Sequence, residues 1–179
     1  HVKLLGGWII YFAFYFLTEN LIPYEKCHVV HCALDDMVPF CEYFVVIYVL
    51  WFFFVAGTLL YYFLYDIEQF KKVQIFIMIT QFIAMIAYIV WPSRQDLRPE
   101  TFERRNIFTF ILNFIYFFDT PTGVCPSLHA GYSLAILSVV SKDKNLKTST
   151  KVLTGVFVLL VCAAVLFVKQ HSALDVFWA

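Results

Sequence analysis

Residues 43–65 read YFVVIYVLWFFFVAGTLLYYFLY, from Tyr43 to Tyr65 without an Asp, Glu, Lys or Arg. A helix of that length crosses a hydrocarbon core of about 30 Å. The composition of the whole chain points the same way. Of 179 residues, 61% are hydrophobic and 20% aromatic, including 21 Phe and 11 Tyr. A chain this small cannot bury all of them, so lipid has to be part of its solvent. Formal net charge is zero, with no basic stripe and no nucleic-acid-binding motif, so nucleic acid is not an expected partner.

Working outward from this run, the chain divides into apolar segments and polar joints. Leu4 to Leu17, extended by Leu21 and Ile22, predicts a short first span. Pro23 to Glu42 is a polar loop carrying Glu25, Lys26, Asp35, Asp36 and Glu42. Asp66 to Lys72 reads as a tight charged turn, and Val73 to Trp91 as the third span, with Trp91 at an interfacial level. Ile107 to Phe118 is apolar but about 12 residues long, short of the roughly 20 a span needs, and predicts an interfacial or re-entrant helix. Asp119 to Gly123 is a turn. The fourth span runs from Pro126 to about Val140, Lys142 to Lys151 is a basic loop, and Val152 to Val168 is the fifth span. Lys169 to Asp175 begins a sixth.

The expected fold is therefore all-α and integral to a membrane. It is a six-helix transmembrane bundle, the first helix short and the sixth truncated, with residues 1–179 forming one transmembrane catalytic domain. His1 in place of Met, and a stop at Ala179 directly after a motif, read as a fragment cut at both ends. Five crossings put loops 92–126 and 169–171 on one side. Lys3, Lys71, Lys72, Lys142, Lys144, Lys147 and Lys151 fall on the other, which the positive-inside rule makes cytoplasmic. Lys26, Lys169, Arg94, Arg98, Arg104 and Arg105 stand against the rule. The expected location is a multi-pass protein of the cell membrane with its site on the exoplasmic face.

Two stretches carry chemistry. In Cys125-Pro126-Ser127-Leu128-His129-Ala130-Gly131-Tyr132-Ser133, Pro126 suits the first turn of a helix. Ser127 and His129 then sit beside N–H groups without intrahelical partners, at an end that favours anions. In His171-Ser172-Ala173-Leu174-Asp175, His171 and Asp175 are four apart, so on a helix the carboxylate can hold the ring. Two histidines on one membrane face, one backed by an acid and one at a helix start, suit phosphoryl transfer.

Arg98-Pro99, Pro126-Ser127-Leu128-His129, and His171 with Asp175 resemble the three motifs of the type 2 phosphatidic acid phosphatase superfamily. Pro-Ser-Leu-His-Ala-Gly with Gln-His-Ser-Ala-Leu-Asp is most similar to the branch containing inositol phosphorylceramide synthase and the sphingomyelin synthases. The likeness covers Pro92 to Asp175. It departs at Trp91, where the family usually has a lysine seven residues before the arginine, and at Val165, where the phosphatases usually have an arginine. Arg94 and Lys169 are the nearby cations that could substitute.

The resemblance implies a lipid phosphate phosphatase or phosphotransferase acting on a lipid or isoprenoid phosphate. In it His171 is the nucleophile, Asp175 fixes the tautomer of His171, and His129 is the general acid and base. Arg98, with Arg94 or Lys169, and Ser127 would bind the phosphate oxygens. No metal or cofactor is implied, and the expected partners are a lipid phosphate substrate and membrane lipids.

Blander readings stand beside these. His129 could be a satisfied interfacial histidine, and His171 with Asp175 a helix-stabilising pair. Arg104 and Arg105 read as lipid head-group contacts, and Ser127 as a helix cap. Cys27-His28, His31-Cys32 and Asp35-Asp36 invite a metal reading, though their spacing matches no common zinc pattern; a cysteine pair is the other possibility, and pairing among Cys27, Cys32, Cys41 and Cys125 stays open. A catalytically inactive relative acting as scaffold or lipid binder is the alternative function. A transporter would show paired repeats or intramembrane charges, which the spans lack.

Overall fold

A computed structural model describes residues 2–179, with the side chains of all of these but Val2, Glu19 and Asn20. Helix α6 (Leu128–Lys142) lies at the centre, packed against α4 (Ile67–Val90), α7 (Thr148–Phe167) and α3 (Val45–Tyr65). Helix α1 (Gly6–Leu21) packs on α4, and the short α5 (Ile107–Phe118) on the start of α3. Two five-residue helices, α2 (Ala33–Met37) and α8 (Ala173–Phe177), lie at the same end as the loops that join these helices.

Among the described residues three helices are long and apolar enough to cross a membrane: Glu42–Tyr65, Ile67–Val90 and Thr148–Phe167. Their outward faces carry Phe52, Phe53, Phe82, Ile83, Leu153 and Leu159, all more than half exposed. Such faces suit hydrocarbon, where each helix satisfies its own backbone. The expected first and fourth spans are α1, with 16 residues, and α6, with 15. They rise only about 24 and 22 Å. Helix α6 is short because it is interior: Ala130, Gly131, Ser133, Ala135 and Ile136 are nearly inaccessible and let neighbouring helices close on it. Where the sixth span is expected to begin, the structure has the five-residue α8, which is not long enough to cross.

Two local expectations need correction. Residues 66–72 are not a turn, since only Asp66 breaks the helices. Its carboxylate accepts the Gln69 N–H at 3.1 Å and caps α4, and Lys71 pairs with Glu68 at 2.7 Å in the first turn. Pro126 does not lie in the first turn of α6, because Ser127 is the cap, its hydroxyl accepting the Ala130 N–H. Helix α5 keeps its expected bounds. Asn106 caps it by accepting from Phe108 and Thr109, and its amide donates to Glu42 at 3.2 Å. Ile107, Phe110, Phe114 and Phe117 form an outward apolar face, as an interfacial helix requires.

The loops at the α6 N-terminus are knit into a layer. Strand β1 (His28–Val29) pairs in parallel with β2 (Ser93–Arg94), and the Gly123 N–H and the Ser93 carbonyl join residues 121–125 to it. The Ser93 hydroxyl accepts from the Val124 and Cys125 amides at 3.2 and 3.0 Å. This layer sets where α6 begins.

A Cβ at Gly131 would lie 2.6 Å from Thr80 Cγ2 of α4. Gly131→Ala is expected to destabilise by about 1–3 kcal/mol. Adding Thr80→Ser, which deletes that methyl and keeps the hydroxyl bond to Phe76, should recover most of it in thermal unfolding in detergent.

Candidate functional site

The turn after α7 places the second histidine. Lys169 adopts φ 53°, in the left-handed region, and the Gln170 and His171 amides both donate to the Val165 carbonyl, at 2.9 and 3.2 Å. The chain thereby doubles back toward α6, and a capping box starts α8: Ser172 Oγ accepts from Leu174 and Asp175 Oδ2 accepts the Ser172 N–H at 2.8 Å. The same Asp175 oxygen lies 3.3 Å from His171 Nδ1. The Ser127 N–H donates to the Asp175 carbonyl at 2.9 Å, which docks the start of α6 on α8.

His129 and His171 meet directly, His129 Nδ1 lying 3.1 Å from His171 Nε2. When the Asp175 carboxyl oxygen accepts from His171 Nδ1–H, His171 Nε2 carries the lone pair and His129 Nδ1 is the donor. The His129 ring packs against Trp51 and Tyr48, with centroids 4.3 and 4.7 Å away. Trp51 Nε1 donates to Ser133 Oγ at 3.1 Å, and Ser133 Oγ–H to the His129 carbonyl at 2.7 Å, so the aromatic wall and the histidine are set by one polar bridge. His129 Nε2 is buried with no hydrogen-bond partner among the described residues.

Both histidines line a cavity of about 870 Å³ between α1, α3 and α5. Its walls are mostly aromatic and aliphatic, including Trp8, Phe12, Phe52 and Phe114. The polar groups gather at the histidine end. There the Asp119 carboxylate accepts from Tyr15, Tyr48 and Gln170 at 3.2, 3.1 and 3.1 Å.

The other expected site residues are distributed unevenly. Arg98 stacks over Tyr116 at 4.5 Å and donates to the side-chain oxygen of Gln170, which lines the cavity. Arg98 is therefore one side chain removed from the histidine pair. The Ser127 hydroxyl is spent on its cap and is 1% exposed. Arg94 is drawn to the Tyr24 carbonyl at 2.9 Å and to Asp96 at 3.2 Å. Lys169 donates to the Asp35 and Val38 carbonyls at 2.9 and 2.5 Å, so its ammonium faces the loop between α1 and α3 rather than the cavity. Gln170, Asp119, Tyr48, Trp51 and Asp35 belong to the site region without having been expected there. Adjacency to His171 is the one signal that could have flagged Gln170.

All five cysteines are unpaired. Burial, reinforced by the Asp175 carboxylate, pushes the Cys125 thiol up to about 12, so it is no thiolate at neutral pH. Among the described residues no three His, Cys, Asp or Glu side chains come together as a metal site, and the Cys27–Asp36 loop instead pairs His31 with Asp36 at 2.8 Å. Compared with protein-family models, with curated proteins and with solved structures, the chain matches none.

The tautomer assignment can be checked by ¹⁵N NMR of the histidines. His171 is expected to carry its proton on Nδ1. In Asp175→Asn, whose amide offers a donor as well as an acceptor, the Nδ1–H signal should diminish in favour of the Nε2–H form.

Proposed function

We propose that the chain is a membrane-embedded lipid phosphate phosphatase or phosphotransferase working through a phosphohistidine. It would be built on a six-helix transmembrane plan with the site on the exoplasmic face. The observation that carries this reading is the Asp175–His171–His129 chain of contacts at the polar end of a cavity large and apolar enough for lipid tails. The resemblance of the three motifs, which contain these same residues, is the other ground for the reading.

A phosphoryl group bound between the two rings takes the place of their 3.1 Å contact. His171 Nε2 attacks phosphorus, forming an N–P bond as the P–O bond to the lipid breaks. His129, protonated on both ring nitrogens before the step, delivers one proton to the departing oxygen and is left neutral. In the second half His129 takes a proton from water or an alcohol, whose oxygen displaces His171 from phosphorus. Asp175 holds the His171 proton on Nδ1 throughout, which leaves Nε2 to form and release the bond to phosphorus. The Arg98 guanidinium, held at the cavity's edge through Gln170, offsets the charge that develops on the phosphoryl oxygens.

One observation favours the second reading, a catalytically inactive lipid-binding relative: Arg94 and Lys169 are both bound elsewhere, leaving Arg98 as the cation nearest the pair. Activity separates the two. Purified protein in detergent is expected to release phosphate from, or transfer it between, members of a panel of phosphatidate, lysophosphatidate and an isoprenoid diphosphate. Orthovanadate should inhibit, and EDTA should have no effect. His171→Ala should reduce turnover to background while unfolding at the same temperature as the parent protein. Lipid binding without turnover would leave the inactive reading, and phosphate release by His171→Ala would remove His171 as nucleophile.

A further inference from the structure

We propose that Asp35, in the loop between α1 and α3, is a positioning residue that holds His171 in line for attack without itself meeting substrate. The proposal rests on His171 being the nucleophile.

Asp35 is 4% exposed and lies more than a hundred residues from the turn it grips. Its Oδ2 accepts from Ser172 Oγ–H at 2.6 Å and from the Cys32 N–H at 2.8 Å, and its Oδ1 accepts from the Ala173 N–H at 2.7 Å. Its main-chain carbonyl takes the Lys169 ammonium at 2.9 Å. One residue therefore binds positions 169, 172 and 173 and brackets His171 on both sides. The His171 side chain, by contrast, has only the 3.3 Å contact to Asp175 and the contact to His129, which a phosphoryl group would displace. With that contact gone, the direction of His171 Nε2 is set mainly by the segment around it, which Asp35 grips at three positions and which Gln95 also holds, its Nε2 donating to the Lys169 carbonyl at 3.0 Å.

The site also needs a carboxylate rather than an amide. Three donors converge on two oxygens, so an asparagine would turn its own N–H₂ toward at least one of them. Burial alone would raise the Asp35 carboxyl above its ordinary range, but the bonds from Ser172, Ala173 and Cys32 outweigh burial and leave it lower. The group is thus ionised at neutral pH. A misdirection of about 1 Å at a nucleophile costs on the order of 100-fold, and loss of a supporting hydrogen bond behind a reactive group typically 10- to 100-fold. A loop staple with no bearing on His171 would change only how much protein is folded.

The test measures orthovanadate and inorganic phosphate affinities by ⁵¹V and ³¹P NMR on the full chain in detergent, for the parent, Asp35→Asn and Ser172→Ala. Vanadate requires the in-line nitrogen, whereas phosphate requires only the anion site. Asp35→Asn is expected to bind vanadate about 10- to 100-fold more weakly, with phosphate affinity changed less than about twofold. Ser172→Ala, which removes one of the three bonds, should show a smaller loss of the same kind, and it carries the test should Asp35→Asn fail to fold. Unchanged vanadate affinity in the folded variants, or equal losses for both anions, overturns the role of Asp35 and leaves the nucleophile in place. A parent protein that binds neither anion overturns the nucleophile reading itself and this proposal with it.

Discussion

The site end of this protein depends on how one carboxylate is shared. Asp175 Oδ2 accepts both the Ser172 N–H and, across 3.3 Å, His171 Nδ1, while the Asp175 carbonyl accepts the Ser127 N–H from the start of α6. A single residue thus starts α8, orients one imidazole and fixes the helix that bears the other. These bonds lie among residues that are 0–8% exposed, where an unsatisfied partner would cost about 1–3 kcal/mol. The histidine pair is consequently a product of backbone satisfaction as much as of side-chain choice.

Around that pair the molecule separates its two tasks by length. Helices α3, α4 and α7 are long and turn apolar residues outward, aromatic as well as aliphatic on α3 and α4 and aliphatic on α7. Helix α6 is short, small-sided and interior, and brings a histidine, an inter-helix serine and a glycine to the middle. The aromatic rings that line the cavity come mainly from α1, α3 and α5, and on α3 Trp51 and Tyr48 serve both as packing and as the wall against which His129 stands.

Much of this was readable beforehand, for a physical reason. Apolar runs betray helices because lipid demands it, and α3 and α5 appeared within a residue or two of their expected bounds. His129 could be found because a helix start is a local property. His171 and Asp175 do meet, but not on a shared helix face as expected, since His171 precedes the Ser172 cap of α8. The charges at 66–72 misled, since a helix end and a turn draw on the same residues and only the Asp66 cap distinguishes them. Arg94 and Lys169 were expected at the phosphate because cations near a histidine suggest it. Their actual partners, Tyr24 with Asp96 and the carbonyls of 35–38, are set by loop packing that no local pattern encodes. Asp35, read only as part of a metal cluster, and Asp119, read only as part of a turn, were not expected at the site for the same reason.

Lys169 illustrates how such long-range demands override local preference. Its backbone, at φ 53°, sits where a side chain costs about 1 kcal/mol and where glycine is at ease. Glycine would relax the chain there and surrender the ammonium that reaches Asp35 and Val38. Repairing the backbone and keeping the anchor are thus mutually exclusive at this position. A redesign guided by torsional preference alone would give up one of the ties between the α1–α3 loop and the end of α7, leaving the Cys41 N–H on the Phe167 carbonyl and the Asp35 carboxylate on Ser172 and Ala173 to hold it.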